Sequence, residues 1–475
     1  MNSGSDYSRR EFIKKNALGC AGVVLGSVLG GNISAAAARN AVSVAGQAAA
    51  DGPLKIAVFD VDATPPVGSY LTYDQMANVW DMGLRAKGIV LTGAGAPVVI
   101  CAIDWIGIAN ESQDVFKKTL ADAVQTDPKR VVVHTLHQHD APICDFSVEK
   151  MLKELNMEPM SFESSFAREF LVRLGKAAED SLNRLRPVTD ISIGKAPVYK
   201  VASNRRIVKD GKVGAMRATT CTDPAMRDEP EGLIDPDVTL LAFWEGDKPV
   251  VIMTFYATHP QSYYLTKIAN PDFPGVARFY RQLAVPDALH IHFTGAGANI
   301  GAGKYNDGSH ENRLILARRL AEGMEHAWKY STKMPVSAGE VTWKTEPVLL
   351  PIADGVIQRV ESRFRTADMR YRSNNMPMII WAKRTRSGIP IDIACLRIGK
   401  AGILFTPGEL CVEYQLAAKA FRPDLAVSMA AYGDYGPFYI CAKEAYSQGG
   451  YEVNESPVTE DSEEILMNAF RKLLV

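Results

Sequence analysis

Cysteine is scarce and scattered. The 475 residues hold seven cysteines, and no two stand in a CxxC or other tight pair. That excludes a zinc ribbon and a disulfide scaffold. One or two isolated disulfides stay open, and the spacing does not pair them. An excess of charge of one sign is missing as well. The 53 lysines and arginines face 54 aspartates and glutamates, a formal net charge of −1. Nothing here drives the chain electrostatically toward nucleic acid or an anionic membrane. There is no HExxH, which excludes a zincin helix, and no GxxxxGK[ST], which excludes a P-loop. No linker, charge run, low-complexity tract or sequence repeat interrupts residues 53 to 475, so this stretch reads as one large domain. The composition, 47% hydrophobic and 23% charged, is that of a globular protein.

Residues 1 to 48 read as an address. Ser8-Arg9-Arg10-Glu11-Phe12-Ile13-Lys14 is a twin-arginine pattern. An apolar run from Ala17 to Leu29 follows, too short and too rich in glycine to span a membrane. Ala35-Ala36-Ala37-Ala38 then offers small residues for cleavage. The expectation is export to the periplasm or the medium, with no transmembrane segment in the mature chain.

What is present is histidine, and it is concentrated. Three of the eight fall in Val131-Val132-Val133-His134-Thr135-Leu136-His137-Gln138-His139-Asp140-Ala141-Pro142. The β-branched run reads as a buried strand. The polar residues and proline end it, which puts His137 and His139 at a strand end, where open α/β sheets place their chemistry. Ala96 to Ile103 reads as another buried strand, and Glu111 to Gln125 as the helix between the two. Phe162 to Leu185 has helical spacing and is stopped by Arg186-Pro187. Leu240 to Trp244 and Pro249 to Tyr256 read as a hairpin, with His259 just beyond. Leu289 to Thr294 is a strand running into Gly295-Ala296-Gly297-Ala298-Asn299-Ile300-Gly301-Ala302-Gly303-Lys304. Glu311 to Tyr330 is an amphipathic helix. Ala401 to Phe405 is a strand stopped by Pro407-Gly408, with Glu409 next. Val427 to Tyr432 and a final helix, Glu460 to Leu474, complete the pattern. Strands alternating with helices predict an α/β fold of mixed β-sheets flanked by helices, with a metal site at the strand ends.

Three strand ends thus carry a candidate ligand each: His137, His259 and Glu409. Two imidazoles and a carboxylate form the ligand set of several catalytic zinc hydrolases, which leave a position open for water. The bland alternative is a set of loop histidines with no ion between them.

In motif order the chain resembles the catalytic domain of the neutral (non-lysosomal) ceramidase family, over about residues 53 to 458. Asp62-Ala63-Thr64-Pro65-Pro66 matches the family's early turn, and His137-Gln138-His139-Asp140-Ala141-Pro142 its paired histidines. Asn204-Arg205 matches an Asn-Arg pair, and Phe255-Tyr256-Ala257-Thr258-His259 a segment ending in histidine. Pro407-Gly408-Glu409 and the pair Tyr439 and Tyr451 follow in order. The resemblance implies one zinc ion held by His137, His259, Glu409 and Tyr439, with His139, Arg205 and Tyr451 at the reaction centre and hydrolysis of an N-acyl amide as the chemistry. His139 would move a proton to the leaving group, and Arg205 and Tyr451 would bind the oxyanion. Arg206 stands beside Arg205 and competes for that role.

Two departures shape the expected function. The family's serine falls at Gly301 and its aspartate at Asn299, so a water on the zinc is the remaining nucleophile; Lys304 is a newcomer to the site. The chain also stops where the family adds a C-terminal β-sandwich domain. The reading is an exported zinc-dependent hydrolase of an amide or ester in a small lipid substrate. A carbohydrate-active zinc enzyme, lyase or deacylase, on a polar glycan is the alternative, and a zinc-containing binding protein without turnover the second.

Overall fold

The computed structural model describes residues 52–78, 82–366 and 375–475. The twin-arginine leader read at residues 1 to 48 lies outside the described residues. One order of elements recurs three times: three antiparallel strands, a crossover helix, and a fourth strand parallel to the third. The first unit runs β1 (Lys55–Asp62), β2 (Arg85–Thr92), β3 (Val98–Ile103), α1 (Glu111–Val124) and β4 (Val131–Thr135), with helix α2 (Ser165–Ser181) after it. The second runs β5 (Asp190–Pro197), β6 (Asp237–Glu245), β7 (Lys248–Tyr256), α3 (Asp272–Ala284) and β8 (Leu289–Thr294), followed by α4 (Glu311–Lys329). The third runs β9 (Val341–Val348), β10 (Ile391–Ile398), β11 (Ala401–Phe405), α5 (Val412–Phe421) and β12 (Ala426–Ala430), with α6 (Ser462–Leu474) closing the chain. Short edge strands, Arg186–Pro187 and Thr332–Pro335, extend the first two sheets. The sequence shows no repeat because the recurrence lies in topology; the residues that fill it differ from unit to unit.

Side-chain alternation decides how the sheets stack. In β4, Val131 and Val133 turn outward to pack with Phe116 and Leu120 of α1, while Val132 turns inward. In β10, Ile393 and Cys395 join α5 and α6, while Ala394 and Leu396 join the interior. The inward faces of all three sheets share one core that includes Ile100, Val132, Val251, Phe293, Leu396 and Phe405. Strands buried on both faces read as unbroken apolar runs, which is how β4 and β11 read in sequence. Each fully buried Val, Ile or Phe contributes about 1.5–3 kcal/mol.

The three fourth strands are laced where they end. Thr135 N donates to Tyr432 O at 2.9 Å, and Ala431 N to Thr294 O at 3.0 Å. Thr294 Oγ1 donates to Leu136 O at 2.7 Å, closing the ring. A buried ion pair joins the first unit to the second: Arg278 of α3 grips Asp104, just past β3, with contacts of 2.7 and 2.6 Å. The hairpin turn expected at Glu245-Gly246-Asp247 tightens to Gly246 and Asp247, with Gly246 at φ +56°. The long helix expected over Phe162 to Leu185 is shorter, Ser165–Ser181, ending in a 3₁₀ turn ahead of Pro187.

Candidate metal centre

The third and fourth strands of every unit end on one side, and their loops meet there. His137 and His139 follow β4, His259 follows β7, and Glu409 follows β11. The ring nitrogens of His137, His139 and His259 all lie within 4.8 Å of one another, so the three histidines can hold a metal ion. Glu409 Oε2 is 3.3 Å from His137 Nε2 and 3.9 Å from His259 Nδ1. His139 Nε2 is 3.0 Å from His259 Nε2.

Each donor is set by its backbone. His137 adopts φ +69°, a left-handed conformation that a non-glycine side chain resists by about 1–3 kcal/mol. Its N–H donates to Trp105 O, and its ring Nδ1 sits 2.7 Å from Ile106 O. A proton on Nδ1, donated to that carbonyl, leaves Nε2 as a lone pair turned toward Glu409. Gly408 precedes Glu409 at φ +58°, and a Cβ there would lie 2.6 Å from Phe438 O. Only glycine lets the chain turn at that point. Glu409 and Tyr439 are register partners in a short parallel bridge, so the carboxylate and the phenol stand side by side.

Burial sets the charge states. It pushes the His139 and His259 pKa values well below the ordinary 6.5, and the neighbouring imidazoles and Arg205 add to the effect. Both rings are neutral near pH 7, the state that binds metal. Glu409 Oε1 accepts from Tyr435 Oη at 3.1 Å. Glu409 Oε2 and His259 Nδ1 are buried with no hydrogen-bond partner among the described residues. Unpaired buried donors and acceptors are costly. An ion shared by the carboxylate and the imidazoles relieves that cost, and so the residues fit a divalent metal of the nitrogen and oxygen class, zinc among them.

Around this centre the remaining expected residues divide. Arg205 Nη1 donates to Ala298 O at 3.1 Å and approaches Tyr439 Oη at 3.5 Å. Burial opposes its charge, but Tyr439 and Glu452 outweigh it and its pKa is raised. Arg206 turns away, to Glu452, Ala445 O and Gln448. The geometry therefore separates the two arginines. Tyr451 lies 5.7 Å from Tyr439, ring to ring, and under the Arg205 guanidinium at 5.5 Å. It is 42% exposed, at the mouth of the site. Lys304 donates to the carbonyls of Arg227 (2.7 Å), Asp228 (3.4 Å) and Glu229 (2.6 Å), which takes up all three of its N–H donors. Its contacts are those of a loop fastener, in place of the newcomer to the chemistry expected from sequence.

Four residues join the site that sequence reasoning missed. Tyr432 stacks on His137 at 4.3 Å, at φ +62° and with its hydroxyl unpartnered among the described residues. Tyr435 orients Glu409. Tyr73 Oη is 3.1 Å from His139 Nδ1, and Gln261 Nε2 is 3.2 Å from the same atom. Gln261 is held in turn by Thr219. The sequence signal for Tyr432 and Tyr435 was the turn-rich tract Gly433-Asp434-Tyr435-Gly436-Pro437 after a strand; Tyr73, 66 residues from His139, carried none.

No protein-family model matches the sequence, and no curated protein matches it. Among solved structures, the chain is similar to neutral ceramidase from Pseudomonas aeruginosa, with a TM-score of 0.64 at 15% identity over 89% of this chain and 74% of that one. It is similar in the same measure to a ceramidase complexed with C2, with a TM-score of 0.64 at 14% identity and the same two coverages. At these identities the likeness is one of fold: this chain has a ceramidase-like fold.

Proposed function

We propose that this protein is an exported, zinc-dependent hydrolase that cleaves an N-acyl amide or ester, built as one catalytic domain behind its leader. The observation that carries the reading is the convergence of His137, His259 and Glu409 from three separate strand ends, with Glu409 Oε2 and His259 Nδ1 left without partners. The ceramidase-like fold supports the same reading. His137, His259, Glu409 and Tyr439 would hold the ion. Zinc, when bound, supplies a Lewis acid that polarises a carbonyl and brings a water ligand's pKa to about 7.

The chain's own residues supply the rest. Arg205 keeps its positive charge beside Tyr439 and can donate to an oxyanion from Nη1. Tyr451, at the mouth, can add a second donor. His139, held at Nδ1 by Tyr73 and Gln261, presents Nε2 to the site and can hand a proton to the leaving nitrogen or oxygen. Lys304 stays outside the reaction. A second reading, action on a glycan, draws support from Tyr264, 38% exposed with its ring 5.3 Å from His139. The deciding experiment is a screen of the zinc-loaded protein against N-acyl amides, acyl esters and oligosaccharides, with products identified by mass. Turnover of an oligosaccharide alone would overturn the hydrolase of acyl bonds.

Gly301→Ser tests the missing serine. A Cβ at Gly301 would lie 2.8 Å from Thr219 Cγ2 and 3.4 Å from Arg205 Cγ. The crowding falls on the protein's own side chains, whereas the sequence pointed to crowding of substrate. The variant should keep its zinc, form no covalent acyl-enzyme and lose about tenfold in kcat/KM, or ~1.4 kcal/mol, as the Arg205 stem moves. A trapped acyl intermediate in mass spectrometry would contradict this. For export, Arg9→Lys with Arg10→Lys should leave the protein in the cytoplasm in a fractionation experiment, because the receptor reads the arginine pair. Normal export of that variant would mean an ordinary secretory signal.

A further inference from the structure

Beside the metal centre lies a cavity of about 540 Å3, within the size range of small-molecule sites. The 68–77 segment between β1 and β2 forms one wall, and residues 152–162 form the other. Its floor is apolar and buried: Leu71, Met76, Leu152, Phe162 and Met376 are each under 5% exposed. Its rim is polar, with Gln75, Glu158 and Lys267 exposed to solvent. An apolar floor under a polar rim suits an amphiphile that enters tail first.

Two observations point to a ligand. Tyr73 lines the cavity, stacks on the His139 ring (5.6 Å, 11°) and puts its hydroxyl 3.1 Å from His139 Nδ1. The cavity is therefore continuous with the proposed reaction centre through a single side chain. Ser161 also lines the cavity; it is 6% exposed, and its Oγ has no partner among the described residues. A buried hydroxyl without a partner costs about 1–3 kcal/mol, a cost that a ligand acceptor removes.

We propose that this cavity is the acyl-chain subsite: it takes the long hydrocarbon tail of the substrate, with Ser161 hydrogen-bonded to a polar atom on it and Tyr73 as the threshold to the scissile bond. The proposal rests on the hydrolase reading, and it goes further by naming a long-chain acyl substrate and the residues that select it. Thioether side chains at Met76 and Met376, with Met157 and Met160 nearer the rim, adapt their shape to the guest. The site therefore selects for a long apolar chain and tolerates variation within that class.

The test uses the whole mature protein and two probes. cis-Parinaric acid, a fluorescent long-chain fatty acid, is titrated in and displaced by palmitate. Met157→Trp fills the cavity from its half-buried rim, where a larger side chain spares the core. It should weaken parinarate binding by about tenfold or more. Against N-palmitoyl and N-acetyl substrates of one headgroup, it should lower kcat/KM by a similar factor for the palmitoyl compound only. Ser161→Ala should weaken binding by a few-fold without altering the acetyl reaction. Parinarate binding untouched by Met157→Trp would overturn the assignment, and so would equal losses on both substrates or occupancy of the cavity by an oligosaccharide instead. Binding requires no turnover, so His139→Ala should still bind parinarate. Saturable, Met157-sensitive binding with no acyl bond ever cleaved would leave the subsite standing and remove the hydrolase.

Discussion

Glu409→Ala is expected to empty the metal site. Its Oε2 is 3.3 Å from His137 Nε2 and has no other hydrogen-bond partner among the described residues, so alanine removes the charge that an ion would neutralise. What stays behind is a group of neutral imidazoles beside Arg205, a cation that repels a second positive charge. Loss of a supporting residue one layer out costs about 10–100-fold in affinity. Loss of this ligand should exceed that and take zinc from about one ion per chain to less than a tenth, with activity lost in parallel. His137→Ala should do the same. Tyr435→Phe removes only the hydrogen bond to Oε1 and should fall in the 10–100-fold range. Elemental analysis after dialysis against a weak chelator reads all three, with circular dichroism as the folding control. Full zinc occupancy in Glu409→Ala would remove it from the ligand set.

The second large effect concerns stability. Arg278 and Asp104 are 5% and 1% exposed and meet through two hydrogen bonds. Arg278→Met leaves the Asp104 carboxylate buried and unpaired, a loss of about 3–5 kcal/mol. Asp104 cannot turn to solvent, because Arg85 N also donates to it and its own carbonyl accepts from Gln138, next to His137. The urea midpoint of Arg278→Met should fall accordingly, and Asp104→Leu in the same chain should restore most of it, since an apolar pair leaves no orphaned charge. A single variant within about 0.5 kcal/mol of wild type would show the pair to be marginal to the fold.

The strands that sequence reasoning found, and those it missed, differ in kind. β4, β7, β8 and β11 are legible as apolar runs because both faces are covered. β2 was passed over because Arg85 and Lys87 break its run, although Lys87 is buried against Asp60. Among the donors, His137, His259 and Glu409 were legible because each follows a strand that is itself legible. Tyr439 and Tyr451 came only through family resemblance, since tyrosines in a tyrosine-rich tail carry no spacing signal. Gln261 stands two residues past His259 but meets its partner 122 residues away, a contact set by tertiary packing alone. The threefold order of elements was not legible at all. The strand ends that correspond, Ile103, Tyr256 and Phe405, share only bulk.

That threefold order separates two properties that most active sites entangle. The ion's proposed donors are drawn from all three units, so no unit can change its strand ends without disturbing the others. The walls of the cavity come mainly from the first unit, from a connection between β1 and β2 and a segment before α2. Insertions or substitutions in those two connections alter what fits beside the centre and leave the inner core and the hydrogen-bond ring alone. A lineage built on this scaffold is therefore free to drift in diet while its chemistry is held fixed by the mutual constraint of three sheets.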